Sequence, residues 1–247
     1  MTAKVALVTG AAHGIGRACV DAFVGDEWNV IAVDVDEDGL ALLGKQHGSA
    51  VATLDGDVAE QATSLRAVEE ALRRCGRLDC AVANAGVNLP KLVDDTTDAE
   101  FDRLIDVNVR APVYLAQAVH RPLADSGGNL VIVASKTGLV AQRNSPIYSA
   151  TKGAAIQLAR ALALDWAPEG IRVNAICPGI VDTPMLRSFT GGLPDPETAW
   201  REHEKAQPLG RLARPEECAA AVLFLASEAA SFITGVALPV DGGFTAE

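Results

Sequence analysis

What most constrains the fold of this 247-residue chain is a rhythm. Short apolar runs alternate with longer stretches of helical period. The runs fall at residues 5–8, 30–33, 51–54, 80–83, 130–133, 171–176 and 236–240. Between them, helical patterns cover 14–25, 38–45, 60–75, 98–124, 148–167 and 215–226, with a bend expected near Pro112. Apolar runs without polar alternation belong to strands buried on both faces, which is the habit of parallel sheets. Strand-then-helix repetition therefore predicts an α/β protein with helices on both faces of a doubly wound sheet. No linker or repeat interrupts the pattern, so one domain spans 1–247. The irregular stretch 185–208, with Gly191-Gly192 and three prolines, is expected to form a substrate lid over the open end of the sheet.

Composition narrows the function. Hydrophobic residues make up 49%, charged residues 21% and aromatics only 4%, so the core must be built from Ala, Val, Leu and Ile. The formal charge of −11 repels nucleic-acid phosphates and anionic lipid, so neither nucleic acid nor membrane is an expected partner. No apolar run approaches the roughly 18 residues of a membrane span. Five cysteines, with no C-x-x-C pair, read as reduced thiols. With no basic-then-apolar leader pattern, a cytoplasmic location is expected. His47, His120 and His203 lack metal-ligand spacing, so no metal site is expected.

An acidic chain can still hold an anion by backbone dipoles. The first run ends in Thr9-Gly10-Ala11-Ala12-His13-Gly14-Ile15-Gly16 and opens a helix. Glycines let the backbone approach a ligand closely, and the helix N-terminus offers free N–H groups to a diphosphate. The spacing is G-x-x-x-G-x-G instead of the common dinucleotide form. Asp34 ends the second run, where a carboxylate accepts from a ribose 2′-OH and repels a 2′-phosphate, so NAD is expected over NADP. His13 is the residue that could instead meet a 2′-phosphate. Asp57-Val58 and Asn84-Ala85-Gly86 end the third and fourth runs, where open α/β sheets bind ligands. Asp57 could accept from the adenine amino group and Val58 donate a backbone N–H; Asn84-Ala85-Gly86 reads equally well as a turn.

Tyr148 and Lys152 stand four residues apart on one helix face. A Tyr hydroxyl, ordinarily titrating at about 10, becomes a usable acid/base when a nearby ammonium favours the phenolate. Such a Tyr can exchange a proton with an alcohol or carbonyl oxygen while a nicotinamide exchanges hydride. Ser135 ends the fifth run and could hold the substrate oxygen beside it.

These residues carry a resemblance. Thr9-Gly10-x-x-x-Gly14-Ile15-Gly16, Asn84-Ala85-Gly86, Val107-Asn108-Val109, Ser135, Tyr148-x-x-x-Lys152, Pro178-Gly179 and Asp241-Gly242-Gly243 together resemble the classical short-chain dehydrogenases/reductases. The resemblance implies a Rossmann-like sheet of seven parallel strands, usually in a homotetramer. It makes Tyr148 the general acid/base, Ser135 the residue that orients the substrate oxygen, and Lys152 the partner of both Tyr148 and the nicotinamide ribose. Asn108 would hold a water that extends the proton relay. Pro178, Gly179, Val181 and Thr183 would meet the carboxamide. Ala134 departs from the pattern, since many relatives have a second Ser there. The expected reaction interconverts a secondary alcohol and a ketone with NAD. Leu139, Arg143, Leu186, Phe189 and Trp200 are the candidate substrate residues beside Ser135. The alternatives are an NADPH-dependent 3-oxoacyl-carrier-protein-type ketoreductase and an NAD-sensing protein without turnover.

Overall fold

A computed structural model describes residues 3–246. Seven strands form one sheet: β1 (Val5–Thr9), β2 (Asn29–Asp34), β3 (Val51–Asp55), β4 (Cys80–Ala83), β5 (Asn129–Val133), β6 (Arg172–Pro178) and β7 (Ala237–Val240). Their order is β3-β2-β1-β4-β5-β6-β7, and every pairing is parallel. The order reverses between β1 and β4, which opens a crevice at the carboxyl ends of those strands.

The helices are α1 (Gly14–Gly25), α2 (Glu37–His47), α3 (Gln61–Cys75), α4 (Asp98–Ile105), α5 (Ala111–Ser126), α6 (Pro146–Trp166), α7 (Pro184–Gly191), α8 (Pro196–Lys205) and α9 (Pro215–Ala226). Side-chain alternation along the strands sorts the core into two layers. Leu7, Ile31, Leu130, Ile132 and Val173 face one way and pack on α3, α5 and α6 through Val68, Leu115, Val119 and Ile156. Ala6, Val8, Val30, Val131 and Ile176 face the other way, against Phe23 of α1, Leu40 and Leu43 of α2, and Val222 and Leu225 of α9. Small residues at the helix faces, such as Ala155, Ala159 and Ala163, bring α6 close to the sheet. That is how a core with few aromatics reaches full packing.

Two local expectations are corrected. The bend in the 98–124 region is not a proline kink. A π turn, Asp106–Arg110, joins α4 to α5 just ahead of Pro112, and Pro122 lies inside α5. The extra residue of the turn buries Val107 and Asn108. The stretch 185–208 is not irregular either. Pro184 and Pro196 occupy first-turn positions of α7 and α8, where a missing N–H costs nothing. Thr183 and Asp195 cap those helices, accepting from Leu186 N–H at 3.3 Å and Thr198 N–H at 3.1 Å.

Candidate active site

A cavity of about 460 Å³ lies along the carboxyl ends of the strands. Its lining begins at the glycine turn and ends under α7.

At the first end, Gly10 and Gly14 adopt φ values of 64° and 52°. A Cβ on Gly10 would sit 2.9 Å from the Ala85 Cα, and one on Gly14 3.1 Å from Thr183 Cγ2. Gly16 works differently. It does not line the cavity; a Cβ there would stand 1.9 Å from the Gly10 carbonyl oxygen, so its bareness closes the turn onto the helix. Asn84 is equally structural, for its amide donates to the carbonyls of Thr9 at 2.9 Å and Gly10 at 3.0 Å. The N-terminus of α1 carries no side-chain cap and no acidic residue in its first turn. By contrast, α2, α4, α7 and α8 are capped by Asp36, Thr97, Thr183 and Asp195. The N–H groups of α1 thus stay available to an anion at the cavity wall.

Asp34 also lines this end. Its carboxylate accepts from Ala12 N–H at 2.9 Å and Asp36 N–H at 3.1 Å, which fixes its direction beside the glycine turn. His13 is held by Asp36 at 2.5 Å. Asp57 accepts from Ala59 N–H at 2.9 Å and from Arg103 of α4 at 2.8 Å. The Ala59 and Arg103 contacts outweigh burial and leave its pKa below the ordinary carboxylate value. Arg103, which also lines the cavity, had no sequence signal; it meets Asp57 across 46 positions of the chain. The residues present fit an adenine dinucleotide: uncapped N–H groups for phosphate, a fixed carboxylate for ribose, and glycines that leave room for both.

At the other end stand Ser135, Tyr148 and Lys152. Ser135 Oγ caps the following turn, accepting from Thr137 N–H at 3.2 Å, and is hydrogen-bonded to Tyr148. The Lys152 ammonium donates to the Val133 carbonyl at 3.0 Å and lies 5.7 Å from the centroid of the Tyr148 ring. Burial decides both ionisations. It pushes the Tyr148 phenol up to about 12, against the pull of the Ser135 hydrogen bond. It pushes Lys152 down to about 8, with Cys177 pulling it up. Burial and Ser135, not the Lys152 ammonium, are what shift Tyr148 here, and burial prevails.

Asn108 does not line the cavity. Its amide pairs with both backbone groups of Val87, at 2.9 Å each, and donates to Thr151 Oγ1 at 3.2 Å. Thr151 in turn donates to the Tyr148 carbonyl at 2.8 Å. A Cβ on Gly86 would be 3.4 Å from both Asn108 Oδ1 and Lys152 Nζ, which places these two groups side by side behind that glycine.

The remaining sequence candidates divide. Ile15, Val58, Ala85, Gly86, Pro178, Gly179, Val181, Thr183, Leu186 and Phe189 all line the cavity. Leu139, Arg143 and Trp200 do not. Trp200 lines a separate hollow between α7 and α8, with the Arg187 guanidinium 5.7 Å from its ring. Met185, Asn88 and Val87 line the cavity and were missed; nothing in their sequence context marks them.

Parallel sheet, crossover crevice, uncapped glycine turn and a Ser, Tyr and Lys on one wall define a nucleotide-dependent oxidoreductase architecture. The comparisons place it within that class. The model of the family described as "Enoyl-(Acyl carrier protein) reductase" matches residues 10–245. L-fucose dehydrogenase of Mus musculus is 41% identical over 241 residues, covering 97% of this chain and 88% of that one. Cis-4-hydroxycyclohexanecarboxylate dehydrogenase of Sinomonas cyclohexanicum is 39% identical over 247 residues, covering 98% and 97%. The crystal structure of 3-ketoacyl-(acyl-carrier-protein) reductase from Brucella melitensis, complexed with NADH, superposes with a TM-score of 0.92 at 34% identity, covering 99% of each chain. The chain belongs to the short-chain dehydrogenase/reductase family. Among the described residues, no helix is long and apolar enough to cross a membrane.

Proposed function

We propose that the protein is an NAD-dependent oxidoreductase that interconverts a secondary alcohol and a ketone. The observation that carries this reading is the continuity of one cavity from Asp34 and the glycine turn to Ser135, Tyr148 and Lys152. The diphosphate would lie on the N–H groups of Gly14, Ile15 and Gly16, with Gly10 and His13 beside it. Asp34 would accept from the ribose hydroxyls, Asp57 and Val58 would meet the adenine, and Asn84, Ala85 and Gly86 would flank the dinucleotide. Pro178, Gly179, Val181 and Thr183 would hold the carboxamide. The nicotinamide supplies the hydride acceptor and, when oxidised, a positive charge that favours phenolate.

Every other step belongs to the chain. Ser135 donates to the substrate oxygen and sets its distance from the Tyr148 hydroxyl. Tyr148 takes the alcohol proton as hydride leaves the carbon, and returns a proton in the reverse direction. A phenol raised by burial needs a nearby cation to serve as a base, and Lys152 is the buried ammonium that faces it. Lys152 would also donate to the nicotinamide ribose. Asn108, beside Lys152, holds the water through which the proton leaves. Leu186 and Phe189 of the 185–208 lid close over the alcohol.

The cofactor assignment rests on charge. The charged residues lining the adenosine end are His13, Asp34, Asp57 and Arg103, and Arg103 is already bonded to Asp57. A 2′-phosphate there would meet carboxylates without a free cation. Ring-bearing alcohols lead the substrate panel because two relatives are named for them. A cytoplasmic homotetramer is the accompanying proposal, resting on the unpaired cysteines and the family resemblance.

The test is formation of NADH from NAD+ or of NADPH from NADP+, with L-fucose, cis-4-hydroxycyclohexanecarboxylate and cyclohexanol as the alcohols. Turnover of at least one alcohol with NAD+ preferred is expected. Preference for NADP+ would favour the NADPH-dependent 3-oxoacyl-carrier-protein-type ketoreductase, the activity named for the superposed structure. NADH binding without turnover of any alcohol would favour the sensor.

A further inference from the structure

The residue after Ser135 is a second buried lysine, and the proton relay has no use for it. Lys136 is 5% exposed. Among the described residues its ammonium makes no hydrogen bond or ion pair. It sits instead 3.2 Å from the centroid of the Phe244 ring, on the C-terminal segment. A desolvated ammonium over an aromatic face is a favourable partnership, and its loss leaves the buried charge with only the field of Asp241 to offset the missing water.

Both sides of this contact are tied down. Lys136 opens the Lys136–Gly138 turn, which Ser135 Oγ caps through Thr137 N–H. Gly138 presses the turn onto α6, where a Cβ would meet the Lys152 carbonyl at 2.6 Å. On the other side, Asp241 accepts from Gly243 N–H, Thr245 N–H and Thr245 Oγ1 at 3.0, 3.0 and 2.6 Å, so the turn that carries Phe244 is fixed. The segment also docks on the cofactor wall, since Gly179 N–H donates to the Val240 carbonyl at 3.0 Å. Burial lowers Lys136 to about 8 and Asp241 opposes it, as expected for a cation held out of water near a carboxylate.

We propose that Phe244 and Lys136 form a clasp that positions the Ser135 hydroxyl, making both of them positioning residues for the reaction. The clasp rests on the reading of Ser135 and Tyr148 given above. It ties the carboxyl ends of β5, β6 and β7 into one unit behind the substrate oxygen. Releasing it lets the Ser135 turn shift relative to Tyr148, and small shifts of reacting groups cost rate more than binding.

The experiment compares Phe244→Leu, Phe244→Tyr, Lys136→Met and Ser135→Ala, using whichever of the three panel alcohols is turned over fastest. Phe244→Leu keeps apolar volume and removes the ring face. It should lower kcat about ten-fold, leaving the KM for NAD+ unchanged. Phe244→Tyr keeps the face and should stay within about two-fold of the parent. Lys136→Met should repeat the kcat loss, and it remains decisive if Phe244→Leu fails to fold. Parent kcat in Lys136→Met, or equal losses in Phe244→Leu and Phe244→Tyr, would overturn the clasp. If Ser135→Ala alone loses turnover, the catalytic reading stands without the clasp. If Ser135→Ala keeps it, both fall together.

Discussion

The two ends of the cavity are made of different material. The adenosine end is backbone: glycines without Cβ atoms, free N–H groups at the head of α1, and carboxylates fixed by main-chain donors. The substrate end is side chain: Met185, Leu186 and Phe189 of α7 line the cavity together with Ser135 and Tyr148. A backbone site tolerates little substitution at its glycines, because a Cβ at Gly10 or Gly16 meets main chain. A side-chain site can be rewritten residue by residue without disturbing the sheet.

The sharpest way to break the comparison is to put a methyl group into the backbone end. Gly16→Ala would drive Cβ into the Gly10 carbonyl. It should cost about 3 kcal/mol of stability and abolish NADH binding, read from the urea midpoint and from NADH fluorescence. An unaltered midpoint would show that the turn can yield.

Next comes the seam between the two ends. Lys152 is lowered to about 8 in the folded chain, against a value near 10.5 when unfolded. Its buried charge therefore costs stability below about pH 8, and that cost is relieved as pH rises from 8 toward 10.5. Relative to Lys152→Met, the parent should gain about 2 kcal/mol across that window in urea unfolding. Parallel pH profiles for the two proteins would mean that Lys152 is solvated.

Asp34→Ala should then reduce the preference for NAD+ over NADP+ about ten-fold in kcat/KM, since it removes the carboxylate that a 2′-phosphate would face. At the substrate end the effects are smaller and fall on the alcohol alone. Phe189→Ala should raise the KM for the alcohol about five-fold without changing that for NAD+. Trp200→Ala, outside the cavity, should change neither by more than about two-fold. Equal effects from the two aromatics would place Trp200 against the substrate after all.

The same division explains what could be read before the structure. Strand order cannot be spelled in residues, yet the apolar runs at β1, β2, β4 and β5 and the glycine turn lead directly to a parallel sheet and its crevice. Motifs made of backbone geometry leave a mark because only glycine fits. Asn84 and Gly16 keep their place in that motif but serve the turn itself. The lid was harder. Its prolines read as breakers, although Thr183-Pro184 and Asp195-Pro196 are cap-and-first-turn signals that could have been recognised. Which face of α7 looks inward depends on its docking angle, so Met185 left no trace while Trp200 drew attention by its size. Arg103 and the clasp between Lys136 and Phe244 depend on contacts far apart in the chain. No local pattern encodes them.

The central claim is that Tyr148 exchanges the proton while hydride passes to NAD+. The direct test is the initial rate of NADH formation with the best panel alcohol, for the parent and for Tyr148→Phe side by side. A loss of about a thousand-fold in kcat with NADH affinity preserved is the result expected of a lost acid/base. A rate within a few-fold of the parent would contradict it.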